Sequence, residues 1–137
     1  MLVLICGDRN WPEREIIRSW LSKLQDWGFD TLIEGECQGA DIIAREEAEL
    51  IDFKILGRDE HTKGFPAQWS KFPRYGAAGP IRNAEMLKYN PSLVMAFHND
   101  IDHSKGTKNM LKLATKKGIE CILINTKEKH GSSNPKQ

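Results

Sequence analysis

"VMAFHNDIDHSKGTKNMLKLA", positions 94–114, is the stretch that decides the fold. An apolar run from Leu93 to Phe97 breaks into a polar loop. Lys105-Gly106-Thr107 then opens a segment with Thr107, Met110, Leu111 and Ala114 on one stripe. The unbroken apolar run suits a strand covered on both faces, and the three-and-four spacing suits an amphipathic helix. A strand feeding a helix through a polar loop is the repeating unit of an α/β sheet.

The same unit recurs on both sides of this stretch. Strands are expected at Met1–Cys6, Thr31–Glu34, Phe53–Leu56, Leu93–Phe97 and Ile119–Asn125. Helices are expected at Arg14–Trp27, Ala40–Ile51, Pro80 to about Tyr89, and Lys105–Lys117. In the first helix Ile16, Ile17, Trp20, Leu21, Leu24 and Trp27 form the inward stripe. In the second, Ala40, Ile43, Ala44, Ala48 and Ile51 turn inward, and Glu46, Glu47 and Glu49 turn outward. In the third, Ile81, Ala84 and Leu87 are expected to face the core, with Arg82 and Asn83 in the first turn. This order predicts a modified Rossmann-like three-layer α/β fold: a mainly parallel five-stranded sheet with helices on both faces.

One segment, Gly57 to Gly79, has no regular pattern, and an irregular stretch of that length in a compact domain is usually functional or disordered. Its aromatics argue for order. Trp69, Phe72 and Tyr75 are each available to stack on a base, although for Trp69 itself anchoring the segment to the core is the preferred alternative. From about residue 127 the chain reads as a frayed polar tail, so a single domain is expected over 1–126 and the tail over 127–137.

With 137 residues the chain can bury a sizeable core, and a net charge of +1 gives it no overall pull toward nucleic acid or membrane. The longest apolar run, Met1–Cys6, is far too short to span a bilayer, so a cytoplasmic protein with no membrane partner is expected. The three cysteines, Cys6, Cys37 and Cys121, show no CxxC spacing, which argues against a disulfide framework or structural zinc. Cys37, in a glycine-bearing loop, is the one cysteine placed where a reactive thiol would sit.

Ligands of parallel sheets bind outside the carboxyl ends of the strands. After the first strand come Gly7, Asp8 and Arg9; the arginine either forks onto an anion or decorates an ordinary loop. After the second comes EGECQGAD, where Gly35 and Gly39 lead to a helix opened by Ala40 and Asp41, a suitable seat for an anion. Asp41 either complements the helix dipole or reaches a sugar hydroxyl. In YGAAGPIRNAEML, Gly79 precedes Arg82 and Asn83; the arginine either clamps a phosphate or faces solvent. In the opening stretch, Lys105, Gly106 and Thr107 offer amides, a hydroxyl and a cation, and His98 follows the strand directly. His98, Asp100, Asp102 and His103 have no recognised metal-ligand spacing, so neither a metal nor a cofactor is expected. Together these loops suggest a pocket for a small nucleotide-like ligand.

The ordered motifs also carry a resemblance. Gly7-x-Arg9, Gly35-x-x-x-Gly39-Ala40-Asp41, Pro66-Ala67-x-Trp69, Ala78-Gly79-Pro80-x-Arg82-Asn83-x-x-Met86 and Ser104-Lys105-Gly106-Thr107-x-x-Met110 resemble the SLOG superfamily. They most resemble its YspA-like branch of bacteria and phages, over nearly all of the chain up to about Asn125. The resemblance implies a nucleotide-binding domain, acting as sensor or processor of a nucleoside phosphate, ADP-ribose or NAD-like compound. It also implies that Gly7, Arg9, Gly39, Asp41, Arg82, Asn83, Gly106 and Thr107 line the site. Relatives in that superfamily include the LOG phosphoribohydrolases, which cut an N-glycosidic bond, and DprA, which binds single-stranded DNA. The LOG loop PGGxGTxxE has no match here: the double glycine is missing and Met110 stands where the glutamate would be. N-glycosidase activity on a nucleoside 5'-monophosphate is therefore the second expectation, and it would need another acid, Asp41 or Glu85. Single-stranded nucleic acid ranks third as a ligand, for want of a basic excess. Self-association is left open.

Overall fold

A computed structural model describes residues 1–72 and 74–127, apart from the side chain of Tyr75. The expected tail beyond Lys127 and the stacking role considered for Tyr75 lie outside the described residues. The elements run β1 (Leu2–Gly7), α1 (Arg14–Asp26), β2 (Thr31–Ile33), α2 (Ala40–Leu50), β3 (Lys54–Ile55), α3 (Ala78–Leu87), β4 (Leu93–Phe97), α4 (Gly106–Lys116) and β5 (Glu120–Ile124). Two short 3-10 turns, Arg74–Gly76 and Ile101–His103, lie before α3 and α4. The five strands form one parallel sheet in the order β3-β2-β1-β4-β5. This is the α/β architecture that the alternating apolar runs predict.

Side chains alternate across a strand, so β1 feeds two cores. Val3 and Ile5 join Trp20, Leu21, Leu24 and Ala44 under α1 and α2. Leu4 and Cys6 join Met86, Met110 and Ala114 under α3 and α4. The large side chains in these layers are almost wholly withdrawn from water, each contributing roughly 1.5–3 kcal/mol.

Two helix faces differ from expectation. In α2, Glu47 is buried rather than outward, because Arg14 and Arg18 of α1 donate to it at 2.8 and 2.6 Å. The Arg18 hydrogen bond, then that of Arg14, holds its carboxyl below the usual range. In α3 the inward face is rotated by about one residue. Arg82, Asn83, Met86 and Leu87 are buried, while Ile81 is 41% exposed and Ala84 is exposed. The cause is polar: inside, Arg82 donates to the Gly35 and Phe65 carbonyls, which an apolar side chain there would leave without that donor.

The first half of the irregular segment is tied to the core and to α3. Phe65 is fully buried under α3, and its N–H donates to the Glu34 carbonyl at 2.9 Å. Arg58 reaches Glu85 of α3 with two bonds of 2.8 Å, and the Pro66 carbonyl with a third of 2.8 Å. Its guanidinium also lies over the Phe65 ring. We expect Arg58→Ala to lower stability by about 1.5–3 kcal/mol, the range for hydrogen bonds to charged groups. Arg58→Lys should restore little of it, since an ammonium cannot reproduce the two-pronged geometry. Urea unfolding of the three proteins is the check, and equal midpoints would show that the segment holds without this tie.

Candidate functional site at the carboxyl edge of the sheet

The chain leaves β1 toward β2 and leaves β4 toward β5, on opposite sides. The strand order therefore reverses between β1 and β4, where open α/β sheets bind ligands. Gly7 ends β1 against the end of β4. A Cβ on it would run into the Phe97 carbonyl oxygen and lie 2.8 Å from the Ala40 Cβ. The next residue, Asp8, donates its N–H to that same Phe97 carbonyl at 2.8 Å, and its side chain accepts from the Asn10 N–H at 2.9 Å. Arg9 then points out, exposed.

The loop after β2 packs directly on the loop after β1. The Ala40 N–H donates to the Asp8 carbonyl at 3.0 Å, and Gly39 lies against the Asp8–Arg9 backbone. Asp41 turns back and accepts from the Gly35 and Cys37 amides at 3.1 and 3.3 Å. The anion seat expected between Gly35 and Asp41 is thus filled from within, by the Asp41 carboxylate and the Asp8 carbonyl. Burial pushes the Asp41 carboxyl up to about 6, opposed chiefly by the Arg82 charge.

Arg82 neither faces solvent nor hangs free for a phosphate. Its Nη1 donates to the Gly35 carbonyl at 2.7 Å and the Phe65 carbonyl at 3.2 Å, and its Nε to Asn83 at 2.9 Å. It passes so close to the chain that a Cβ on Gly35 would lie 2.5 Å from Nη1. Asn83 donates on the other side to the Gly106 carbonyl at 3.2 Å and to Asn109 at 3.0 Å. One turn of α3 therefore ties the β2 loop to the start of α4.

The start of α4 is partly capped. Ser104 accepts the Thr107 N–H at 3.1 Å, and Thr107 is buried. Gly106 and Lys105 are exposed, and the Cβ position of Gly106 has nothing within 4 Å. His98 accepts the Asp100 N–H at 2.9 Å, so one ring nitrogen serves its own loop. Asp100 holds His103 at the surface, and that hydrogen bond raises the imidazole above its usual value. Among the described residues no three His, Cys, Asp or Glu side chains come together as metal ligands.

Two clefts flank the edge. One of about 620 Å³ is lined by Arg9, Asn10, Glu36, Gln38, Gly39 and Ile43, among others. The other, about 560 Å³, runs from Ser104 and Lys105 along Lys108 and Lys112 of α4. Neither is lined by Arg82 or Asp41. Glu85, the other candidate acid, is committed to Arg58, whose hydrogen bonds hold its carboxyl below the usual range.

Several residues of this edge escape a reading of the sequence. Glu34 is fully buried, and its carboxyl is pushed up to about 8 by burial and by neighbouring Asp41. It accepts the Glu36 N–H at 2.6 Å and lies 3.5 Å from Arg45. A glutamate ending the apolar run Thr-Leu-Ile is the only sequence signal for it. The Cys37 thiol is raised by burial, then by Asp41, which keeps it protonated and unsuited to attack. Trp69, expected in the core, is 58% exposed.

No helix among the described residues is long and apolar enough to cross a membrane. Set against known proteins, the chain matches no family model and no curated sequence. Its kinship is thus one of architecture, an all-parallel five-stranded α/β sheet of Rossmann-like form.

Proposed function

We propose that this protein binds a nucleotide or nucleotide-derived ligand at the carboxyl edge of the sheet, between the β1 and β4 loops, as a sensing or processing domain. A nucleoside phosphate, ADP-ribose or an NAD-like compound is the ligand class. The observation that carries the reading is the contrast among the glycines of this edge. Gly7, Gly35 and Gly39 are packed against other atoms, so folding alone accounts for them. Gly106 meets nothing, at the first position of a helix whose leading amides are unpaired by the helix itself. A helix start that is only partly capped, with Lys105 exposed before it and Arg9 exposed on the same edge of the sheet, suits an anionic group.

The experiment is a thermal-shift series with AMP, ADP-ribose, NAD and cyclic dinucleotides. A ligand at a hundred times its Kd adds about 2.7 kcal/mol to apparent stability. At least one compound should raise the melting temperature, and Arg9→Ala should weaken its binding by about 1.5–3 kcal/mol without changing the melting temperature of the free protein. No shift with any of them would reject the reading.

A second reading, hydrolysis of the N-glycosidic bond of a nucleoside 5'-monophosphate, is favoured by Asp41. Burial holds that carboxyl at about 6, near the value that proton transfer at neutral pH requires, and to reach a substrate it would have to leave the Gly35 and Cys37 amides. Its test is release of free base from AMP by the wild type and not by Asp41→Asn.

A further inference from the structure

Four tryptophans serve this chain in different ways. Trp11 and Trp20 are buried, and Trp27, 45% exposed, rests edge-on against Trp20. Trp69 is the most exposed of the four. A large ring left half in water forgoes most of the stabilisation that burial would give it. Its backbone is nonetheless held. Lys71 and Phe72 both donate their N–H groups to the Gln68 carbonyl at 3.0 Å, which makes a turn with Trp69 near its tip. Four residues earlier, Phe65 pins the segment into the core.

The ring also has a defined place. Gly79, in the first turn of α3, is buried, and the nearest atom to its Cβ position is Cη2 of Trp69, 3.7 Å away. The indole therefore lies by the start of α3, one turn before Arg82 and Asn83 link that helix to the β2 loop and to Gly106. An aromatic ring stands exposed beside the helix start, on a turn closed by its own hydrogen bonds. That combination suits a flat partner and is wasteful for a mere core anchor.

We propose that Trp69 is the base-stacking residue of the site, so that the ligand must carry an aromatic heterocycle as well as its phosphorylated ribose. This rests on the nucleotide reading above. Stacking of a base on an aromatic side chain tolerates any base, because every base has a π face. The proposal therefore assigns discrimination between base-bearing and base-free sugar phosphates, and leaves base identity to other contacts.

The test compares AMP and ADP-ribose with ribose 5-phosphate in calorimetric titrations of the full chain. Wild type, Trp69→Phe and Trp69→Ala are used. Trp69→Ala should weaken both base-bearing compounds roughly ten- to hundredfold. It should leave ribose 5-phosphate within about twofold, the melting temperature of the free protein should not move, and Trp69→Phe should retain most of the affinity. AMP should also quench tryptophan emission in the wild type and much less in Trp69→Phe. Equal losses for all three compounds, or no loss for any, would overturn the proposal while leaving nucleotide binding intact. A wild type that binds none of the three would overturn both.

Discussion

Arg82→Ala should destabilise the protein by about 3–5 kcal/mol, because it removes two buried hydrogen bonds donated by a charged group, each in the range of about 1.5–3 kcal/mol. The truncation strips donors from the Gly35 and Phe65 carbonyls and leaves Asp41 buried without its countercharge. Arg82→Lys should recover only a small part, because a single ammonium cannot serve Gly35, Phe65 and Asn83 from one position. Equilibrium urea unfolding measures the effect. A double-mutant cycle with Asp41→Asn should show coupling well above the few tenths that independent sites give. A loss below about 1 kcal/mol, less than one hydrogen bond of a charged group contributes, would mean that this guanidinium does not bind the two halves of the edge together. Any weakening of ligand binding by Arg82→Ala has to be read against this structural loss, which is why exposed Arg9 is the better probe of the site.

A second large effect is expected from pH. Glu34 sits at about 8 and Asp41 at about 6 in the folded chain, against 4.5 and 3.8 for free groups. Between those limits the unfolded chain has released protons that the folded one retains. Stability must therefore fall as pH rises, by about 1.4 kcal/mol per proton per pH unit. From about pH 5 to pH 8 the loss should be on the order of 5 kcal/mol. Glu47 and Glu85, held below the usual range, are already ionised throughout this window and do not offset the loss. His103, raised by Asp100, acts in the same direction, as an exposed ion pair. Glu34→Gln copies the neutral acid and keeps an acceptor for the Glu36 N–H. Its stability should decline far less between pH 5 and 8, making it the more stable protein at pH 8. Parallel curves for the two proteins would show that Glu34 ionises in the fold as it does in water.

The sequence discloses this fold where one property dominates. Leu93–Phe97 is apolar at every position and is a strand buried at every position. The stripe on α1 names the side chains that meet the sheet, except that Trp27 stands half out of the core. Legibility fails where partners are remote. Arg82 turns inward for carbonyls 47 and 17 positions away, and Glu47 for arginines on another helix. Periodicity weighs only the residue itself, so it placed Ile81 and Ala84 inside α3 and Glu47 outside α2. The site follows the same rule. That the loops after the strands meet at one edge is a matter of topology and could be read. That Asp41 fills the amide seat of its own loop, or that Glu34 is buried beside it, depends on distances that no spacing reveals.

The position of β1 has a consequence for how the chain is made. Leu2–Gly7 lies in the middle of the sheet, flanked by β2 and β4, and Val3 pairs with Leu93. During synthesis the β2 side can be satisfied early, when Thr31–Ile33 has emerged. The β4 side must wait for Leu93–Phe97, an interval on the order of ten seconds at common elongation rates. For that time a wholly apolar strand presents unpaired backbone along one side, a template for pairing with any other nascent chain. The nascent chain is thus at greatest hazard on the ribosome, at an edge that the finished protein no longer possesses.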